Sequence, residues 1–157
     1  MTSPIGFYPG WMNSPRPKIP AVADRVVGDV FHYPYLWASD HERGLENPKD
    51  RTACLAFIRR EDAGIAHLVI LAISDRPPGS VEAAIEVPAT EIARGGLNPA
   101  RRAFITISEY NIDTLPFSPH YDPNSRTFGR FGKLFIALVA KSLARAIREG
   151  RARKLTR

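Results

Sequence analysis

Apolar and polar positions along this chain fall into runs of different period. Arg25 to Tyr33 (RVVGDVFHY) and Thr52 to Arg59 are short β-branched, aromatic and apolar runs, and Ala66 to Ser74 (AHLVILAIS) is a nearly continuous apolar run of strand length. Each predicts a strand. Asp75 to Ser80 (DRPPGS) reads as a turn, and the short strand expected around Ala84 to Val87 stops at Pro88, which cannot donate to a ladder. Thr90 can cap a short helix ending at Gly95-Gly96. Arg102 to Tyr110 alternates Phe104, Thr106 and Ser108 with Ala103, Ile105 and Ile107, which predicts a fifth strand. From Phe131 the period changes. Phe131, Leu134, Phe135, Leu138, Val139, Ser142 and Ala146 follow the spacing of an amphipathic helix running to about Gly150.

The segments between these runs are polar. Met1 to Ala23 is rich in Pro, Ser and Asn with Phe7, Tyr8 and Trp11 interspersed, and is expected to be an extension (residues 1–23) ahead of one domain (residues 24–157). Pro34 to Asp50 is a long connection of the kind that is usually functional or mobile. No internal repeat is visible, and the strands do not alternate with long helices as a parallel α/β sheet requires. The pattern therefore predicts a mainly β fold, a small barrel with helices inserted and appended.

Composition narrows this reading. At 157 residues and 44% apolar, the chain suits one domain with a real core. Cys54 is the only cysteine and lies in an apolar run, which points to a small buried hydrophobe and against disulfide or zinc chemistry. No stretch has the apolar length of a signal peptide's hydrophobic region or a membrane span, so a soluble, cytoplasmic protein with no membrane partner is expected. The formal charge of +6 is unevenly spread: Arg130 to Arg157 carries nine Lys or Arg against Glu149 alone. That end is either a solvated helix face with a frayed basic tail or a surface that attracts phosphate.

Several short motifs occur in a telling order. Gly28-Asp29-Val30 opens the first strand and Lys49-Asp50-Arg51-Thr52-Ala53-Cys54-Leu55 the second; the third ends Ala72-Ile73-Ser74; Ser108-Glu109-Tyr110-Asn111 and Phe128-Gly129 follow. Together, over about Arg25 to Ala146, they resemble the signatures of PemK/MazF-like toxins. The chain departs from that pattern at Thr52 and Ala72, where proline is common, at Asn111, where many members carry arginine, and in the longer loop Pro34 to Asp50. The resemblance implies an SH3-like barrel and the toxin of a type II toxin-antitoxin pair. It further implies a homodimeric endoribonuclease that cuts single-stranded RNA without metal or other cofactor and is neutralised by a cognate antitoxin protein.

Such cleavage needs a base for the RNA 2′-hydroxyl, an acid for the leaving oxygen and positive charge on the transition state. Arg51 suits the last role, because a guanidinium presents a fork of donors and keeps its charge. Ser74 ends an apolar strand, so its hydroxyl can reach a phosphate or 2′-hydroxyl, or can cap a turn. Glu46, five residues before Arg51, is a candidate base, and His32 and His41 titrate in the range for acid or base work. Lys49 adds charge beside Arg51. Tyr33, Tyr35 and Trp37 alternate, so they would share one side of a continued strand, where they can stack bases or pack a core. Two other functional classes stand beside the nuclease: a protein-binding inhibitor on the same fold, like the related toxins that poison DNA gyrase, and a non-cleaving nucleic-acid-binding barrel.

Overall fold

The computed structural model describes residues 25–45, 48–81 and 83–157. Among them are eight strands: β1 (Asp29–Tyr33), β2 (Arg51–Arg60), β3 (Ala66–Ser74), β4 (Ala84–Glu86), β5 (Phe104–Thr106), β6 (Glu109–Leu115), β7 (Thr127–Arg130) and β8 (Arg153–Thr156). Three α-helices accompany them: α1 (Ala38–Glu42), α2 (Ala89–Arg94) and α3 (Lys133–Arg148). The expected extension, residues 1–23, and the candidate base Glu46 lie outside the described residues.

The mainly β reading holds, as an antiparallel sheet in which β3 is the hub. One edge of β3 pairs along its length with β2, while the other pairs first with β6, through Ala66↔Leu115 to Ile70↔Asn111, and then with β5, through Ile73↔Ile105 and Ser74↔Phe104. Outward from β2 come β1 and then β7; outward from β5 comes β4; outward from β6 comes β8. No ladder among the described residues joins these outer strands to each other, so the sheet is open and strand pairing does not complete a barrel.

The continuous apolar run of β3 has a physical cause, since the central strands are covered on both faces. Val30, Cys54, Ala56 and Leu71 pack with Ile105, Phe135, Val139 and Leu143 on one side. Phe31, Tyr33, Leu55, Leu68 and Ile70 pack with Tyr35, Leu115 and Tyr121 on the other. Burial pushes the Cys54 thiol up to about 12, which leaves it protonated and inert, a small hydrophobe.

The terminal helix forms where its period predicts but is rotated. Its buried stripe is Phe135, Ile136, Val139, Leu143 and Ala146, whereas Leu134 and Leu138 are 90% and 53% exposed. The expected stripe mixed two helical faces, because Phe131 is buried ahead of the helix and sets no phase for it. No side chain of the helix's own caps its first turn. Glu91 of α2 does so from across the fold, its Oε1 accepting the Gly132 N–H at 2.7 Å while Oε2 accepts from Arg94 at 2.5 Å. A carboxylate there satisfies an orphan donor and complements the helix dipole, worth about 1 kcal/mol. At the other end Gly150 takes φ +72°, turning the chain back so that Arg151 N–H bonds the Ala146 carbonyl.

Beyond that turn the chain is not a frayed tail. Arg153–Thr156 forms β8, pairing in parallel with β6 and burying Leu155. α3 provides the crossover that a parallel pair requires. The fifth strand expected over Arg102 to Tyr110 also differs, splitting at Ile107 and Ser108 into β5 and β6, which pair with different parts of β3. No described helix is long and apolar enough to cross a membrane.

Candidate functional site

At the end of the sheet where β3 stops, a cleft of about 770 Å³ opens. The antiparallel β2–β3 hairpin explains its floor: the Ala53↔Ala72 pairing puts Arg51 and Ser74, distant in sequence, at the same end. Arg51 and Thr52 come from β2, Ile73 and Ser74 from β3, and Asp75 and Arg76 from the turn beyond. Trp37, Ser39 and Asp40, from the β1–β2 connection and α1, form one wall; Leu97, Asn98, Arg101, Arg102 and Ala103, between α2 and β5, form the other. That second wall is seated by Gly129 of β7. A Cβ there would lie 2.3 Å from the Arg94 carbonyl oxygen, so only glycine permits so close an approach of α2 to the sheet.

The cleft is rich in guanidinium groups of two kinds. Arg101 pairs with Asp75 at 2.7 Å, and Arg102 grips Glu86 through two bonds of 2.8 Å while lying over the Phe104 ring. Hydrogen bonding to Arg102 holds the Glu86 carboxyl below its usual range, and the same bond raises Arg102. Arg51 and Arg76 are exposed and pair with no carboxylate among the described residues. Their donors remain available to a phosphate. Ser74 caps the turn, its Oγ accepting the Arg76 N–H at 3.1 Å, and its own hydroxyl proton is left to donate elsewhere at the cleft that Ser74 lines.

The wall carrying Trp37 and Asp40 is held by alternate residues of β6, which project from one face of the strand. Glu109 Oε1 accepts the Ala38 N–H at 2.9 Å. Asn111, fully buried, accepts the Leu36 N–H through Oδ1 and donates to the Leu36 carbonyl through Nδ2, both at 2.8 Å. Asp113, also buried, accepts the Tyr33 hydroxyl at 2.6 Å and the Ser118 hydroxyl at 2.6 Å. Burial, and secondarily Asp113, raises the Tyr33 phenol, so it stays the donor. Burial raises Glu109 against the opposing pull of Ala38 and Arg153. Desolvation, with Arg157 nearby, lowers His120 at the far end of this strand.

No protein family, curated protein or solved structure matches the chain. The site is therefore read from its own geometry.

Of the residues singled out from sequence, Arg51, Ser74 and Trp37 line the cleft together. Tyr35 does not. It is 0% exposed, packed edge-on against Trp37 with centroids 5.1 Å apart, and supports that indole from the core. Tyr33 and Tyr35 do share a side, but the β1 extension lays that side against the core rather than solvent. His32 is exposed on β1 and packs against Phe128 at 4.6 Å, while His41 and Lys49 are exposed in the β1–β2 connection; none of the three lines the cleft. Asp40, Arg76, Asn98, Arg101 and the positioning residues Glu109 and Asn111 were not foreseen in these roles. Arg76 sits in the Pro-Pro-Gly turn and Arg101 in the Asn98-Pro99 loop, whose local patterns match any solvated loop. Only the tertiary fold brings them together.

Among the described residues no three His, Cys, Asp or Glu side chains gather as a metal-holding group.

Proposed function

We propose that this protein is a PemK/MazF-like toxin, an endoribonuclease that cuts single-stranded RNA in the cleft at the end of β2 and β3. The observation that carries this reading is the convergence there of Arg51, Ser74 and Trp37 with Arg76, the two arginines lacking carboxylate partners among the described residues. Phosphate oxygens match such free guanidinium forks, and the half-buried Trp37 indole lining the same cleft is the group on which an unstacked base would stack.

In the proposed reaction the RNA 2′-hydroxyl oxygen attacks the adjacent phosphorus and passes its proton to a carboxylate. Asp40 is the base that the cleft wall offers, with Glu46 in the same connection as the other candidate. The P–O5′ bond breaks, the leaving oxygen takes a proton, and the products are a 2′,3′-cyclic phosphate and a 5′-hydroxyl. No histidine lines the cleft among the described residues, so that proton comes from solvent water. Arg51 and Arg76 stabilise the negative charge that accumulates on the phosphoryl oxygens, and the Ser74 hydroxyl donates to one of them. The charge is supplied by side chains, so the scheme requires no metal. A cognate antitoxin, a homodimer and a cytoplasmic location belong to the same proposal, as does barrel closure.

The test is incubation of the purified protein with a mixed-sequence single-stranded RNA in EDTA. Discrete fragments ending in cyclic phosphate are expected; intact RNA, or cutting that appears only with magnesium, counts against the reading.

A second reading, a protein-binding inhibitor without nuclease activity, is favoured by one feature. Leu134 and Leu138 form an exposed apolar stripe on α3, next to Lys141. It predicts intact RNA and growth inhibition that Leu138→Ser abolishes while Arg51→Ala does not.

A further inference from the structure

Two arginines adjacent in sequence line the cleft, and their carboxylate partners hold them differently. Arg102 takes Glu86 through Nε and Nη2, both at 2.8 Å, with its guanidinium 5.0 Å from the Phe104 ring centre, and Glu86 is not among the residues that line the cleft. Arg101 makes one bond, from Nη1 to the Asp75 carboxylate at 2.7 Å, and both of these partners line the cleft. Asp75 also stands between Ser74 and Arg76, the residues assigned above to the scissile phosphate. We propose that Asp75 is an internal stand-in for an RNA phosphate: it holds Arg101 in the free protein and gives it up to a second phosphate of a bound strand. The inference rests on the RNA reading of the cleft and deepens it.

A carboxylate in a phosphate-binding cleft repels its own ligand, so it is tolerated only where a cation balances it. Arg101 is that cation. The pair is loosely held: its side chains are 66% and 51% exposed, and ion pairs so open to solvent are screened and contribute little. A guanidinium carries five donors, and among the described residues this one spends a single donor on Asp75. A phosphate can therefore gather the others before the bond to Asp75 breaks. Arg102 lacks that freedom, because two bonds and the Phe104 ring fix its plane. The elements decide which phosphate is taken. Arg51 on β2 and Arg76 in the turn beyond β3 pair with no carboxylate among the described residues and receive the first; Arg101, between α2 and β5, receives that of a neighbouring nucleotide. Exchange thus favours a strand over a lone anion, since one phosphate at Arg51 leaves the Arg101–Asp75 pair intact.

The exchange is tested by affinity alone, on a mixed-sequence single-stranded RNA whose 2′-hydroxyls are methylated so that it cannot be cut. Kd is measured by fluorescence anisotropy across a salt series for wild type, Asp75→Asn, Arg101→Ala and Arg102→Ala, with melting temperatures alongside. Asp75→Asn should tighten binding roughly two- to fivefold, because Arg101 is then free from the start and the like charge is gone. Arg101→Ala should weaken it roughly three- to tenfold and flatten the slope of log K against log salt by about 0.7, the signature of one lost contact to a single-stranded phosphate. Arg102→Ala should leave that slope unchanged. A pair that only braces the turn beyond β3 predicts a different result, in which Asp75→Asn and Arg101→Ala weaken binding together. That result, or unchanged affinity in both, overturns the exchange. Wild-type protein that binds this RNA but leaves unmodified RNA intact sinks the nuclease reading and not the exchange, whereas wild-type protein that binds neither form of RNA overturns both.

Discussion

Two arginine-rich regions of this molecule look alike in composition and differ in what their charges are doing. The C-terminal region, Arg130 to Arg157, holds most of the excess positive charge, yet its guanidinium groups are largely engaged. Arg130 pairs with the buried Asp29 at 2.7 Å, Arg145 and Arg151 both hold Glu149, Arg153 pairs with Glu42, and Arg157 donates to the Pro34 carbonyl at 3.3 Å. The cleft has fewer cations, but Arg51 and Arg76 have no such partner among the described residues. Charge density along a sequence therefore measures raw material. Unengaged donors facing a concave surface measure binding capacity, and by that measure the less basic region is the stronger candidate.

The comparison breaks most directly at Arg51. Arg51→Ala should lower kcat/KM for RNA a hundredfold or more, about 2.7 to 4 kcal/mol of lost transition-state stabilisation, with an unchanged melting temperature. A folded variant that cuts at the wild-type rate would show that the free arginine is an ordinary surface residue. The C-terminal counterpart is Leu155→Ala, which keeps every charge. It should cost about 2 to 3 kcal/mol of stability by emptying a buried site in β8, measurable by urea unfolding, and should leave RNA affinity per folded molecule intact. Weakened RNA binding without lost stability would reverse the roles assigned to the two regions. Arg153→Ala sharpens the contrast at smaller scale. Its partner Glu42 is exposed, so the pair is worth less than about 1 kcal/mol, and neither stability nor RNA affinity should move by more.

The smallest effect is one of sign. Burial raises the Glu109 carboxyl, so the folded chain holds that proton more tightly than the unfolded chain. The corresponding stability is fully present below the ordinary carboxylate range and is lost as pH rises through the raised folded value. Glu109→Gln keeps an acceptor for Ala38 and removes the ionisation. The variant's melting temperature should gain on wild type as pH rises through and above the ordinary carboxylate range, and a constant difference would mean the carboxyl titrates alike in both states.

Legibility in the sequence followed burial on both faces. β3 and the middle of β2 were readable because their apolar runs are continuous, and α3 because its period is sustained. The phase of α3 was not, since Leu134 and Leu138 fit a helical stripe as well as Ile136 and Leu143 do, and only the sheet beneath chooses between them. β7 (TFGR) and β8 (RKLT) were invisible because such short polar strands owe their form to neighbours, Leu155 being the one buried side chain of the pair. Arg51, Ser74 and Trp37 fall on one cleft and Tyr35 in the core, because alternation gives a shared side but not which side is wet. Asn111 looked like a departure from a family pattern. Its bidentate hold on Leu36 could be seen only once the β1 extension lay across β6.

The division of β3 between two partners has a consequence for how the cleft breathes. On the floor, β2 and β3 are laddered from Ala53↔Ala72 to Arg60↔Ala66, so their amides should exchange with solvent only when the whole domain unfolds. The β4–β5 pair hangs from the sheet by Ile73↔Ile105 and Ser74↔Phe104 alone, with β4 on the outer edge. Ile105, fully buried, still keys this flank into the core beside Leu71 and Val139, so the amides of the outer strand β4 should exchange sooner than those of the hairpin while the floor of the cleft keeps its shape.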